Sequence, residues 1–349
     1  MITNDLKYLF AYTIPIATLV SITSEGFFTY TTLIYAFVFI PVLESIFKDV
    51  ESKKEYTKPE IQNKLSNTFF DILLYLNIPF VFALLALGLN NLNQPQLDLF
   101  ETVGMVLSLG ILLATNAINV GHELGHRKPL IERCMSKLLY LPCLYMHFYI
   151  EHNFGHHNNV ATPKDPATAK FNQTVYSFWF TSVIGQYISA WRLQLQLLKI
   201  KNSGFFSFKN DMLFYTIFEL AYLFVIYSFF GFYGLLLAII IGVLSFLFLE
   251  TINYIEHYGL TRDKVSEFRY EKVNHSHSWN ADNQVGRAVL FELTRHSDHH
   301  ESPSKPYQIL ESPVNTPQLP TGYPGMILLS LVPPLFFSIM HRRMDLKDS

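Results

Sequence analysis

The apolar residues of this chain are concentrated in blocks. A membrane helix needs about 20 predominantly apolar residues, and four blocks meet that length directly: roughly 6–23, 27–47, 68–89 and 98–120. A longer stretch, 211–255, has room for two more, with Phe229-Phe230-Gly231-Phe232-Tyr233-Gly234 as the turn between them. The pattern predicts an all-α membrane protein with six transmembrane helices. The first block has no small-residue cleavage site after it and reads as a membrane helix rather than a removed leader.

Other stretches are less clear. Residues 132–150 and 174–200 are apolar enough to span, but Trp191, Arg192, Gln194, Gln196 and Lys199 make the second amphipathic and interfacial. Counting both as spans would put residues 151–173 on the opposite side from the other polar segments, so neither is taken as one. Pro324, Pro333 and Pro334 argue against a regular helix over 322–340, which is expected to pack under the polar part as a cap.

Loop charge orients the chain. Lys48, Lys53, Lys54, Lys58 and Lys64 follow the second span, Arg127, Lys128, Arg133 and Lys137 the fourth, and Arg262, Lys264, Arg269 and Lys272 the sixth. The intervening turns, 24–26, 90–96 and 229–234, hold no Lys or Arg. The positive-inside rule then places both termini and the first set of loops in the cytoplasm. One integral-membrane catalytic domain over 1–349 is expected. Residues 1–121 would carry four spans, 122–210 polar boxes and interfacial helices, 211–255 spans five and six, and 256–349 the cytoplasmic remainder.

Composition agrees. Charged residues make up 15% of the chain, below the roughly 25% of a soluble domain. A net charge of -2 gives no reason to expect a nucleic-acid partner. The two cysteines, Cys134 and Cys143, are not paired as CxxC, so any electrons would come from a separate protein.

Against this background nine of the 13 histidines form four clusters: His122 and His126; His152, His156 and His157; His257; and His296, His299 and His300. Spacings of three and four residues put rings on one helix face; the first cluster follows the fourth predicted span, His257 ends the sixth, and helix ends can bring all four clusters to one region at the cytoplasmic face. A tetrahedral metal takes about four ligands, so nine imidazoles suit two metal ions. Imidazole fits zinc, copper, iron and other metals, and spacing alone does not choose among them. Glu123, Glu151, Asp165, Glu256, His277 and Asp298 are candidates for the groups that orient metal-bound rings. His147 and His341 read as ordinary polar residues, and His275 as either an orienting group or a loop residue. Nine neutral ligands would leave the metals' charge uncompensated.

His122-Glu-Leu-Gly-His126 also matches the H-E-x-x-H of zinc proteases, a reading that leaves seven histidines unused. A metal transporter would need ligands within the spans rather than at their ends.

Taken together, Gly-His-Glu-Leu-Gly-His (121–126), Glu-His-Asn-Phe-Gly-His-His (151–157), Asn-Tyr-Ile-Glu-His-Tyr-Gly-Leu (253–260), His-Ser-Trp-Asn (277–280) and Arg-His-Ser-Asp-His-His (295–300) resemble the bacterial integral-membrane alkane 1-monooxygenases, a non-haem di-iron family. Arg127, Thr294 and Glu301 depart from residues frequent at those places, none of them a ligand position. The resemblance implies two irons bound by the nine clustered histidines and electrons from a rubredoxin, itself reduced by an NADH-dependent reductase. It further implies hydroxylation of medium- or long-chain n-alkanes by O2 in the bacterial inner membrane. Related xylene-type methyl hydroxylases and fatty-acid desaturases share similar histidine boxes and remain alternatives.

Overall fold

The computed structural model describes residues 3–47, 55–267 and 269–348. Lys48, Lys53 and Lys54, used above to orient the chain, lie outside the described residues.

Among the described residues, five helices are long and apolar enough to cross a bilayer: Asp5–Thr23, Gly26–Ile46, Phe69–Leu92, Leu99–Gly125 and Asp211–His257. The fourth is the central one, with 83% of its apolar window buried against 22% for the second. Its start is set by a capping box in which Asp98 accepts from the Glu101 N–H at 2.7 Å.

The fifth helix spans 47 residues and leaves helical geometry at Gly231, where φ is 66° and ψ is -169°. Only glycine adopts that conformation readily. Residues on either side of the break meet the same turn. Glu219 accepts the Met146 N–H at 2.9 Å, and a Cβ on Gly242 would lie 3.2 Å from the Pro142 carbonyl. The two arms therefore run alongside each other in opposite directions.

That shared turn belongs to residues 130–159, which enter the bundle and return. Leu130–Tyr140 descends along the end of the fourth helix, where Ser136 Oγ donates to the Gly121 carbonyl at 2.5 Å. After the turn the chain rises again through Phe148–Ile150 and Glu151–His156. The amphipathic stretch forms one helix, Val175–Ile200, whose Ser182 and Gln186 reach Glu250 on the second arm.

The described residues are mostly helical, as the apolar blocks predict, with one small antiparallel ribbon of Lys264–Ser266 and Arg269–Tyr270. Two expectations are corrected. The segment with three prolines is helical, as Tyr323–Ser330 and Pro333–Asp348. Pro324 stands in the first turn of one helix and Pro333 and Pro334 begin the next, positions whose N–H groups need no intrahelical acceptor. Lys64, counted as a loop charge, is buried and paired with Asp5 at 2.5 Å.

Candidate metal centre

Six of the nine histidines come from the ends of long helices or from one short helix. His122 lies in the last turn of the fourth long helix and His126 caps it. His257 is the final residue of the fifth. His296, His299 and His300 come from the short helix His296–Glu301. The segment 277–280 holds these last two pieces together. Trp279 donates its N–H to the Glu256 carbonyl at 2.8 Å and its Nε1–H to the Tyr258 carbonyl at 3.0 Å, and Asn280 Oδ1 accepts the Ser297 N–H at 2.8 Å.

The second cluster does not keep α-helical register. Glu151–His156 is a π-helix, whose hydrogen bonds run from i to i+5. His152 and His157, five apart, therefore come together at 3.0 Å between Nε2 atoms, while His156 points elsewhere. The result is two groups. His122, His126, His152, His157 and His299 form one, and His156, His257, His296 and His300 the other; within each, the candidate ligand atoms all lie within 4.8 Å of one another. His126 is half-buried and the other eight are buried.

The geometry within each group is that of metal ligands. Nε2 atoms lie 2.9 Å apart for His122–His299, 3.3 Å for His126–His157, 3.2 Å for His257–His296 and 2.9 Å for His296–His300. Two ligands at right angles on a metal with bonds of about 2.1 Å would be separated by about 3.0 Å. Burial first, and then neighbouring imidazoles, hold His152, His157, His296 and His300 well below the usual 6.5; His299 follows the same pattern. The rings are neutral, with lone pairs free for a cation.

The carboxylates divide. Asp165 Oδ2 accepts from His156 Nδ1 at 2.9 Å and from Thr168 Oγ1 at 2.6 Å. Burial alone would raise this acid, but His156 and Thr168 outweigh it and keep the carboxyl below its ordinary value. Glu256 places Oε2 3.2 Å from His296 Nε2, and its Oε1 accepts from the Tyr323 hydroxyl. Asp165 thus puts negative charge beside the four-histidine group, which spacing alone had left uncompensated.

Glu123 instead bonds Arg127 at 2.8 Å, and Asp298 bonds Lys305 at 2.7 Å. Glu151 is buried beneath Gly155, where a Cβ would meet its Oε1 at 2.5 Å. His277 braces its loop through Asn274 and Glu271, and its carbonyl lies 3.4 Å from His257 Nδ1. His275 pairs with Glu301 at 2.5 Å. The Nδ1 atoms of His152, His157, His296 and His300 have no protein partner.

Tyr323 and the cluster around Glu250 escaped sequence reasoning. Glu250 accepts from Tyr145 at 2.9 Å, Ser182 at 2.6 Å and Gln186 at 2.8 Å. An acid inside an apolar run is itself a signal of function, and Leu249-Glu250-Thr251 carried it.

Comparison with known proteins agrees with this geometry. The fatty acid desaturase family model matches residues 100–329, a range that includes all nine clustered histidines. Alkane 1-monooxygenase of Pseudomonas putida is 37% identical over 320 residues, 91% of this chain and 78% of that protein. Alkane 1-monooxygenase 1 of Alcanivorax borkumensis is 36% identical over 326 residues, covering 93% and 80% respectively. The hydroxylase component of xylene/toluene monooxygenase from Pseudomonas putida is more distant, 29% identical over 287 residues, 79% of this chain and 74% of that protein. Similarity of this extent, in a helical membrane chain whose imidazoles converge as metal ligands, makes the protein an enzyme of the alkane 1-monooxygenase family.

Proposed function

We propose that the protein hydroxylates the terminal methyl group of medium- or long-chain n-alkanes to 1-alkanols, using O2 and two electrons supplied by a rubredoxin. His122, His126, His152, His157 and His299 hold one iron, and His156, His257, His296 and His300 the other. The chain forms one catalytic unit with six crossings of the bacterial inner membrane, the arms of the Asp211–His257 helix counting as two. Both termini and the histidines face the cytoplasm. The observation that carries this reading is the convergence of nine imidazoles, eight of them buried, into two adjoining groups.

Two irons bound there supply the redox chemistry: with two electrons and two protons, one atom of O2 enters the C–H bond and the other leaves as water. The protein must bind and orient the hydrocarbon. An apolar cavity of ≈ 60 Å³ between the helices, with Phe37, Ile111, Ala114, Phe248 and Ile252 in its wall, has room for the terminal few carbons of such a chain. Its hydroxyls are already engaged: Thr115 donates to the Ile111 carbonyl at 2.8 Å, and Tyr323 donates to Glu256. An alkane therefore meets no unsatisfied polar group, and gains about 0.8 kcal/mol for each CH2 it buries. Ile252 and Tyr323 lie toward the four-histidine group, so a straight chain held end-on presents its methyl there. Terminal selectivity is then a matter of orientation.

Electron delivery needs a docked donor. Arg127 is paired with Glu123 and Asp71, and Arg262 binds the Asn158 and Val160 carbonyls. Steering of an acidic carrier falls to exposed cations such as Lys128 and Arg269.

The direct test combines purified protein, iron, rubredoxin, reductase, NADH and a mid-length alkane. Formation of 1-alkanol is expected. Desaturation of an acyl substrate without alkanol would favour the desaturase reading, and turnover of xylene but not alkane the methyl-hydroxylase one.

A further inference from the structure

A second and larger cavity lies apart from the histidines, between the re-entrant helix Leu130–Tyr140 and the first arm of Asp211–His257. Its volume is ≈ 770 Å³. Leu141, Met146, Phe214, Phe218 and Val225 give it an apolar wall. From Asp211 to Val225 the helix rises about 21 Å, more than the ~15 Å of hydrocarbon in one leaflet. Phe218 and Val225 are 51% and 48% exposed, so the groove opens sideways, toward the bilayer.

Its mouth is different in character. Lys137 lines it, 3.6 Å from Asp211, and Arg133 lies one turn earlier on the same helix. Lys137 also lies over the Tyr149 and Tyr215 rings, 4.7 and 5.4 Å from their centroids, and the Arg133 guanidinium neighbours the Tyr149 hydroxyl. The Arg133 Nε is buried without a hydrogen-bond partner. Four residues below Asp211, Tyr215 is 4% exposed and its hydroxyl also has no partner. Pure hydrocarbon would leave these donors unmatched, at a cost for each buried group.

We propose that this groove binds one anionic phospholipid from the leaflet on the histidine side. The phosphate is held by Arg133 and Lys137, an ester carbonyl accepts from the Tyr215 hydroxyl, and an acyl chain fills the space between Leu141 and Phe218. Basic pockets between helices at the cytoplasmic surface have this recognition chemistry. The lipid would wedge the re-entrant segment, which continues into His152, His156 and His157, against the first arm. The proposal requires only that the chain lies in a membrane, and it stands or falls separately from the choice of substrate and metal.

Cys134 supplies the readout. It lines the groove and is exposed, whereas Cys143, the other cysteine, is buried. The full-length protein in neutral detergent micelles is treated with an uncharged maleimide, with a few equivalents of phosphatidylglycerol or phosphatidylcholine. Phosphatidylglycerol at ten times its Kd should slow Cys134 alkylation about ten-fold, and phosphatidylcholine should not. Combined Arg133→Gln and Lys137→Gln should remove the protection. Equal rates with both lipids on the unaltered protein would overturn the proposal. So would protection that survives the double substitution, or equal protection by a 1-alkanol, which would make the groove a hydrocarbon site.

Discussion

His156 and His157 are adjacent in the chain yet belong to different groups, and His299 and His300 divide in the same way. Each group is therefore stitched from several segments, and losing one ring should damage one metal position first. His156→Ala and His299→Ala are each expected to lower activity at least about 100-fold and to lower bound iron, measured by elemental analysis. Unchanged iron would remove that residue from the ligand set. Asp165→Asn keeps the shape while weakening the acceptor for His156 Nδ1, so a fall of about 10–100-fold in activity or iron affinity is expected. Sequence proximity did not reveal this division of roles. Glu123 and Asp298 neighbour histidines in the chain but turn to Arg127 and Lys305, while Asp165 meets His156 from nine residues away.

Protonation acts on the same rings. Burial holds His152, His157, His296, His299 and His300 below 6.5, so the folded chain stays neutral there while the unfolded chain takes up protons as pH falls. The unfolded state binds more protons, so the stability these groups contribute is full above 6.5 and declines below it. The melting temperature of the iron-free protein should therefore drop between about pH 7.5 and 5.5. A rise over that interval would contradict neutral, buried rings.

At the scale of elements, hydropathy was a good guide to where helices lie and a poor one to their internal register. The blocks at 6–23, 27–47, 68–89 and 98–120 correspond to four of the five long helices. Apolar runs look alike whether a turn closes i to i+4 or i to i+5, so the π-turn at Glu151–His156 left no mark on the pattern. That turn is what pairs His152 with His157. Proline misled for a related reason: a residue that breaks a helix interior is well placed in its first turn. Gly231 was legible as a turn, and its backbone makes a sharp prediction. Nothing lies within 4 Å of a Cβ built there, so Gly231→Ala introduces backbone strain rather than a clash. A loss of about 1–3 kcal/mol is expected in unfolding measurements, and an unaltered stability would mean that the two arms do not depend on this bend.

Across the whole molecule, composition and charge conveyed a membrane protein with its polar chemistry gathered at helix ends. They could not convey the cavity, because its wall is assembled from helices far apart in sequence, among them Phe37, Ala114 and Ile252. Filling it offers a test of its role. Ala114→Phe adds bulk inside the wall and should cut turnover of the longest accepted alkane at least about ten-fold while sparing shorter ones. Equal losses at all lengths would point to damage at the metals instead.

Two irons beside that cavity remain the claim on which the rest depends. Its most direct measurement is the iron content of purified, catalytically active protein. The account predicts two iron atoms for each chain, falling together with activity when iron is removed. Full activity with one iron or none, or with zinc in its place, would contradict it.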